Sequence, residues 1–291
     1  MEYFSYPVVD PVVFSLGPLT GNWYGLFFEI GLLISSVLLA RRLKDVHPDI
    51  DGDRKAVLIF ACFFALLLGA RMGYVLLYCP LSIISEPLYF MQFWDGCTSF
   101  AGAIALVIPV IWFCARKWNI QSYRLADIVV TAAPVAALAV LAGDIVVGSG
   151  WGKVAVDSQL SMLFSSSKSE DMLIAWNNLD LISVINSNGY GVLPRYPSQL
   201  FEFSSQLFIL AVVSLIYSKT KDKPGLTTAA YLIIFALTKM LTEQFQESDL
   251  PVGLSESLFV TKAAILTLPL LIMSEIIILS VFVSKIKSPA N

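Results

Sequence analysis

Charge is what this chain has least of. Only 14% of its 291 residues are Asp, Glu, Lys or Arg, where a soluble globular domain carries about a quarter. Hydrophobic residues make up 57% and mean hydropathy is +0.74, which excludes disorder and an ordinary cytosolic domain. A net charge of −3 speaks against a nucleic-acid partner. Histidine is reduced to His47, so neither a histidine metal cluster nor a relay of several histidines can form. The four cysteines, Cys62, Cys79, Cys97 and Cys114, show no CxxC or zinc spacing, and no phosphate-cradling glycine loop is present. No metal and no cofactor is therefore expected. What remains is a polytopic membrane protein.

A bilayer-crossing helix needs about 20 mostly apolar residues. Seven runs qualify: 23–40, 56–78, 99–115, 126–148, 200–217, 225–243 and 257–284. The predicted fold is an all-α polytopic membrane protein with seven transmembrane helices. Residues 1–291 form one membrane domain, with 149–199, rich in Ser, Asn and Asp, as a small head between spans four and five. Helix-breaking Asp10-Pro11 and Gly17-Pro18 predict a short surface segment at the N-terminus, which lacks the basic stretch of a signal peptide. Thirteen of the nineteen cations fall in 41–55, 116–124, 219–223 and the tail, all on one side of the predicted spans. The positive-inside rule then puts the N-terminus outside and the C-terminus in the cytoplasm. Cys79 and Cys97 share the outer side, and their pairing is left open. His47 falls in an inner loop, away from any outer chemistry.

Ionisable groups inside spans cost roughly 2.5–3.5 kcal/mol unless paired or wetted. Here they are Glu29, Arg71, Asp144, Glu202, Lys239, Glu243, Lys262 and Glu275. Arg71 sits in Leu68-Gly69-Ala70-Arg71-Met72-Gly73-Tyr74, where small neighbours permit close approach, and its fork suits a phosphate. The alternative is a structural pair with Asp95, Asp144 or Glu202. Gln199 and Glu202 are three apart and share a helix face, with Ser198 as a potential cap. Lys239 and Glu243, four apart, either face a site or pair with each other. Lys262 is placed to snorkel, and Glu29, a turn beyond Tyr24, is left open.

Several stretches resemble the prolipoprotein diacylglyceryl transferases of bacterial inner membranes. They are Asp10-Pro11-Val12-Val13-Phe14-Ser15-Leu16-Gly17-Pro18, Trp23-Tyr24-Gly25-Leu26, the Arg71 stretch, Trp94-Asp95-Gly96, Trp151-Gly152 and, most specifically, Tyr190 through Glu202. The resemblance implies a periplasmic N-terminus and head in the inner membrane. It also implies transfer of diacylglycerol from phosphatidylglycerol to a lipoprotein cysteine, so the partners are membrane phospholipid and a lipoprotein or another membrane protein. Lipid or phosphate binding is expected at Tyr24, Arg71, Gln199, Glu202, Lys239 and Glu243. The family pattern also has reactive groups that this chain replaces. Ala101 stands where the pattern has a histidine, Asp144 an arginine, Phe235 a tyrosine, Lys239 an arginine, Gln246 another arginine and Asn22 a histidine. Two functions follow. One is a homologue with lost or much reduced transferase activity that keeps a lipid-binding or assembly role. The other is a divergent active transferase clamping phosphate with Arg71 and Lys239.

Overall fold

The computed structural model of the chain describes residues 3–16, 19–78, 86, 88–91, 99–176, 178–247 and 262–287. Among these, five helices are long and apolar enough to cross a membrane: Trp23–Val46, Gly52–Leu76, Ser122–Val147, Ser198–Lys219 and Leu226–Phe245. They carry five of the seven predicted runs. The runs at 99–115 and 257–284 fall on helices Phe100–Trp118 and Lys262–Lys287. Each of those two contains a proline, Pro109 and Pro269. Helix-interior prolines are tolerated where neighbouring helices satisfy the freed backbone groups. Large apolar side chains such as Leu33, Phe60, Leu215 and Leu279 point outward and are exposed, as suits a lipid-facing surface.

The elements in order are β1 (Phe4–Ser5), β2 (Val12–Leu16), β3 (Leu19–Asn22), α1 (Trp23–Val46), α2 (Gly52–Tyr78), α3 (Phe100–Trp118), α4 (Ser122–Val130) and α5 (Ala133–Val147). They continue with β4 (Met162–Leu163), α6 (Lys168–Trp176), α7 (Leu179–Ser187), β5 (Pro194–Arg195), α8 (Ser198–Lys219), α9 (Leu226–Thr242) and α10 (Lys262–Lys287). The N-terminal segment, predicted as plain surface chain, is built of strands. β1 runs parallel to β4, which pairs antiparallel with β5, and β2–β3 form a hairpin. Strands of two to five residues leave too short a hydropathy pattern to read, which is why the sequence did not reveal them.

The chain divides into two compact units. Unit one takes the described residues of Met1–Ser35, Ala133–Ser214 and Ile233–Leu268. It holds the three-stranded sheet, α6, α7 and the α1–α5 crossing. There a Cβ on Gly143 would lie 3.0 Å from Tyr24 Cα, and one on Gly31 would run into Ala139. The two backbones meet because these positions are glycine. Asn22 Oδ1 accepts the Gly25 N–H (2.7 Å) and so caps α1. α5 ends at Gly148, whose φ of 71° suits glycine at a helix C-terminus.

Unit two takes the described residues of Ser36–Ala132, Leu215–Leu232 and Pro269–Asn291. Its core includes Leu39 and Leu43 of α1, Leu58 and Cys62 of α2, Ile111 and Cys114 of α3, and Leu125 and Ile128 of α4. α2 and α3 are nearly in backbone contact, since a Cβ on Gly73 would fall 2.5 Å from Gly102 Cα. α3 stops at Asn119, left-handed at φ 60°, whose N–H closes back onto Ala115 and Arg116. Asp127 of α4 accepts from Gly225 N (2.7 Å), Thr228 N (2.7 Å) and Thr228 Oγ1 (2.6 Å), capping α9 from another helix.

Candidate functional site

The predicted site residues of unit one gather around the turn that leaves α5. Asp144 lies one turn before the end of that helix and accepts a hydrogen bond from Ser149 Oγ (2.8 Å). Beyond it, Gly150 adopts φ 72°, and a Cβ built there would lie 3.7 Å from Gln199 Cβ and 3.9 Å from Asp144 Cβ. Asp144 and Gln199 therefore flank the same backbone turn. Ser198, read as a cap, donates its hydroxyl proton to Gly150 O (2.6 Å) and ties the start of α8 to that turn. Pro194 and Pro197 fix the approach of the chain to α8.

Glu202 follows Gln199 on the same face of α8 and ion-pairs with Lys239 of α9. Lys239 Nζ also donates to Gln246 Oε1 (3.1 Å). The alternative pairing of Lys239 with Glu243 is therefore corrected to a pair with Glu202. α9 ends at Thr242, so Glu243 opens a 3₁₀ turn instead of continuing the helix face. Asp144 is within Coulombic reach of both Glu202 and Tyr24. The structure thus brings Tyr24, Asp144, Gln199, Glu202, Lys239 and Gln246 into one region of unit one. Among the described residues of this region, the carboxylates of Asp144 and Glu202 face the one ammonium of Lys239.

Gln199 is 1% exposed, and neither carboxamide atom closes a hydrogen bond of ordinary geometry. The Tyr6 hydroxyl stands beside it with its proton committed to Ile145 O (2.5 Å). Burial pushes this phenol above its ordinary value, and the Gln199 amide offsets part of the shift.

Arg71 belongs to unit two. It is 1% exposed, its Nη2 donates to Tyr89 O (3.1 Å), and the guanidinium lies over the Tyr89 ring at 4.8 Å. Its proposed partner Asp95 lies outside the described residues, as do Cys79 and Cys97. Of the other two suggested partners, Asp144 bonds Ser149 and Glu202 bonds Lys239. Phe235 is buried on α9. Ala101 falls in the first turn of α3 and Lys262 opens α10, but their side chains lie outside the description. Glu29 and Glu275 are exposed on their helices.

Sequence reasoning missed the second ionic centre of unit one. Arg195 is wholly buried, its Nε donates to Asp171 Oδ1 (2.7 Å), and Nη1 reaches Gly152 O (3.0 Å) and pairs with Glu247. The Trp151 ring covers the guanidinium at 4.2 Å. Asp171 also accepts from Ser167 Oγ (2.5 Å) and Leu193 N (2.9 Å). The one available signal was Arg195 standing between two prolines beside Gln199; its carboxylate partners carried none. Asp127 was missed as well, although it lies inside a predicted span.

The apolar helices and the polar groups they carry define a multi-pass membrane protein with a cluster of ionisable side chains on its helices. The sequence model for prolipoprotein diacylglyceryl transferase matches residues 11–280, and the chain belongs to that family. It is 33% identical over 271 residues to the phosphatidylglycerol–prolipoprotein diacylglyceryl transferase of Pectobacterium carotovorum subsp. carotovorum, covering 93% of each chain. It is 31% identical to that of Proteus mirabilis over 95% of this chain and 93% of the relative. It is 28% identical to that of Buchnera aphidicola subsp. Baizongia pistaciae over 97% and 99%. Family and helices together make it a multi-pass protein of the bacterial inner membrane.

Proposed function

We propose that this chain is a phospholipid-binding homologue of the diacylglyceryl transferases with lost or much reduced transfer activity, acting in binding or assembly in the inner membrane. The observation that carries this is the state of Lys239. Among the described residues, the cation gathered with Asp144, Gln199 and Glu202 is Lys239, already engaged by Glu202 and Gln246. A departing phosphate needs cations preorganised to receive its charge. Here the lysine is neutralised by a carboxylate, and a second carboxylate stands where the family pattern has an arginine. Phosphatidylglycerol, which the relatives' names carry, is the reference ligand.

In this reading α3 and α10 complete seven spans, and 1–291 is one membrane domain with 149–199 as a periplasmic head. The N-terminus is periplasmic and the C-terminus cytoplasmic, which the cation distribution supports.

The test is expression in cells depleted of their own transferase, following diacylglyceryl addition to a lipobox peptide. Little or no modification is expected from inserted, folded protein. Modification at the normal rate would overturn the proposal in favour of an active enzyme that uses Arg71 and Lys239.

A further inference from the structure

We propose that the unit-one site selects a phospholipid whose headgroup carries a primary ammonium, and that Asp144 is the residue that selects it. The proposal rests on the lipid-binding function above and narrows its ligand.

Charge complementarity is the first argument. Among the described residues of the cluster, Asp144 and Glu202 outnumber Lys239, and Lys239 is spent on Glu202. Asp144 has a serine hydroxyl for a partner, which solvates a carboxylate without neutralising it. All these groups sit on helices apolar enough to lie in hydrocarbon, where an uncompensated carboxylate is costly. A headgroup that brings only phosphate and hydroxyls adds a second negative charge beside Asp144. A headgroup with an ammonium supplies the missing cation.

Gln199 is the second, independent argument. It is 1% exposed and flanks the same turn as Asp144; apart from the approach of its amide to the Tyr6 hydroxyl, its Oε1 and Nε2 close no hydrogen bond of ordinary geometry. Buried amides are almost always bonded, so a ligand that offers N–H and phosphate oxygen together fits this one. An ammonium can donate to Asp144 and to Gln199 Oε1, while a phosphate oxygen accepts from Gln199 Nε2. A quaternary ammonium carries the charge but no N–H, so it satisfies neither acceptor. The predicted order of preference is primary ammonium, then quaternary ammonium, then anionic polyol headgroup.

The experiment places purified full-length protein in nanodiscs of equal phosphatidylethanolamine, phosphatidylcholine and phosphatidylglycerol. The protein is then re-extracted, and the lipid retained on it is quantified. Phosphatidylethanolamine should be enriched about tenfold over phosphatidylglycerol relative to the bulk mixture. Asp144→Asn should bring the ratio back toward bulk, and Asp144→Arg should reverse it. Unfolding temperatures of both variants confirm that they are folded. Preferential retention of phosphatidylglycerol by the unmodified protein overturns this inference and leaves the lipid-binding function standing. Retention of no lipid above bulk overturns both. An ethanolamine preference that survives in folded Asp144→Asn removes Asp144 from the role. Soluble phosphoethanolamine should not shift the unfolding temperature; a shift equal to that given by the lipid would assign the site to a free amine phosphate.

Discussion

Two cations of unit one make an instructive pair. Arg195 is sealed, with its own side chain and that of Asp171 at 0% exposure. Lys239 and Glu202 keep 30% and 21% exposure. Around Arg195 the partners include backbone carbonyl, two carboxylates and an indole face; Nη2 has no hydrogen-bond partner, but the side chain is closed off from solvent. Around Lys239 the pair is open, and the neighbouring Gln199 amide is unsatisfied. The difference separates scaffold from site. An ion pair closed off from solvent by its own fold holds geometry, whereas an accessible one beside an unmet amide has capacity left for a ligand.

The comparison can be broken most sharply at Arg195. Arg195→Ala would leave Asp171 buried without its counter-charge, a loss of about 3–5 kcal/mol. The expected outcome is a large drop in unfolding temperature of the detergent-solubilised protein. Arg195→Lys should recover only part of it, because the fork that reaches Asp171 and Gly152 together is gone. A variant of unchanged stability would place Arg195 with the functional groups instead.

Asp127 gives a middle case, a buried carboxylate whose partners are helix-end donors. Asp127→Ala leaves the Gly225 and Thr228 N–H groups uncapped and should cost about 1–2 kcal/mol in the same measurement. Glu202→Gln should cost less, since the pair it removes is partly exposed and Gln246 still accepts from Lys239. Its larger effect should be on ligand: Lys239 is freed, and retained phosphatidylglycerol should rise. If stability falls as far as in Arg195→Ala, the Lys239 pair is scaffold after all.

The smallest effect belongs to His47, outside both centres. Burial, then the nearby Arg124 charge, hold its imidazole below the ordinary 6.5, with Asp49 opposing them. The folded protein therefore binds this proton less readily than the unfolded chain. Its stability contribution is whole above pH 6.5 and is lost as pH falls from there through the lower folded value. Unfolding temperatures measured across this range should slope gently in the unmodified protein and less so in His47→Asn. Neither ionic centre of unit one should contribute to that difference.

Much of the site could be read before folding was known. Gln199 and Glu202 share a helix face because they are three apart, and local spacing is enough to say so. Asp144 and Lys239 stood out as charges in apolar runs. Their arrangement did not follow from spacing: Lys239 looked equally able to serve phosphate or Glu243, and it bonds Glu202, 37 residues away. Arg195 finds Asp171 at 24 residues and Glu247 at 52. No periodicity marks such partners.

Composition and order along the chain determined that this is a membrane protein, where its apolar helices run, and which family motifs it carries. Hydrophobic transfer is additive residue by residue, so a linear string contains that information. Which charges are neutralised, which helix ends are capped from afar, and which amide is left unmet were decided only by the tertiary structure. Ion pairs and hydrogen bonds act over a few ångströms of space, and closeness in space between distant residues exists only once the chain has folded.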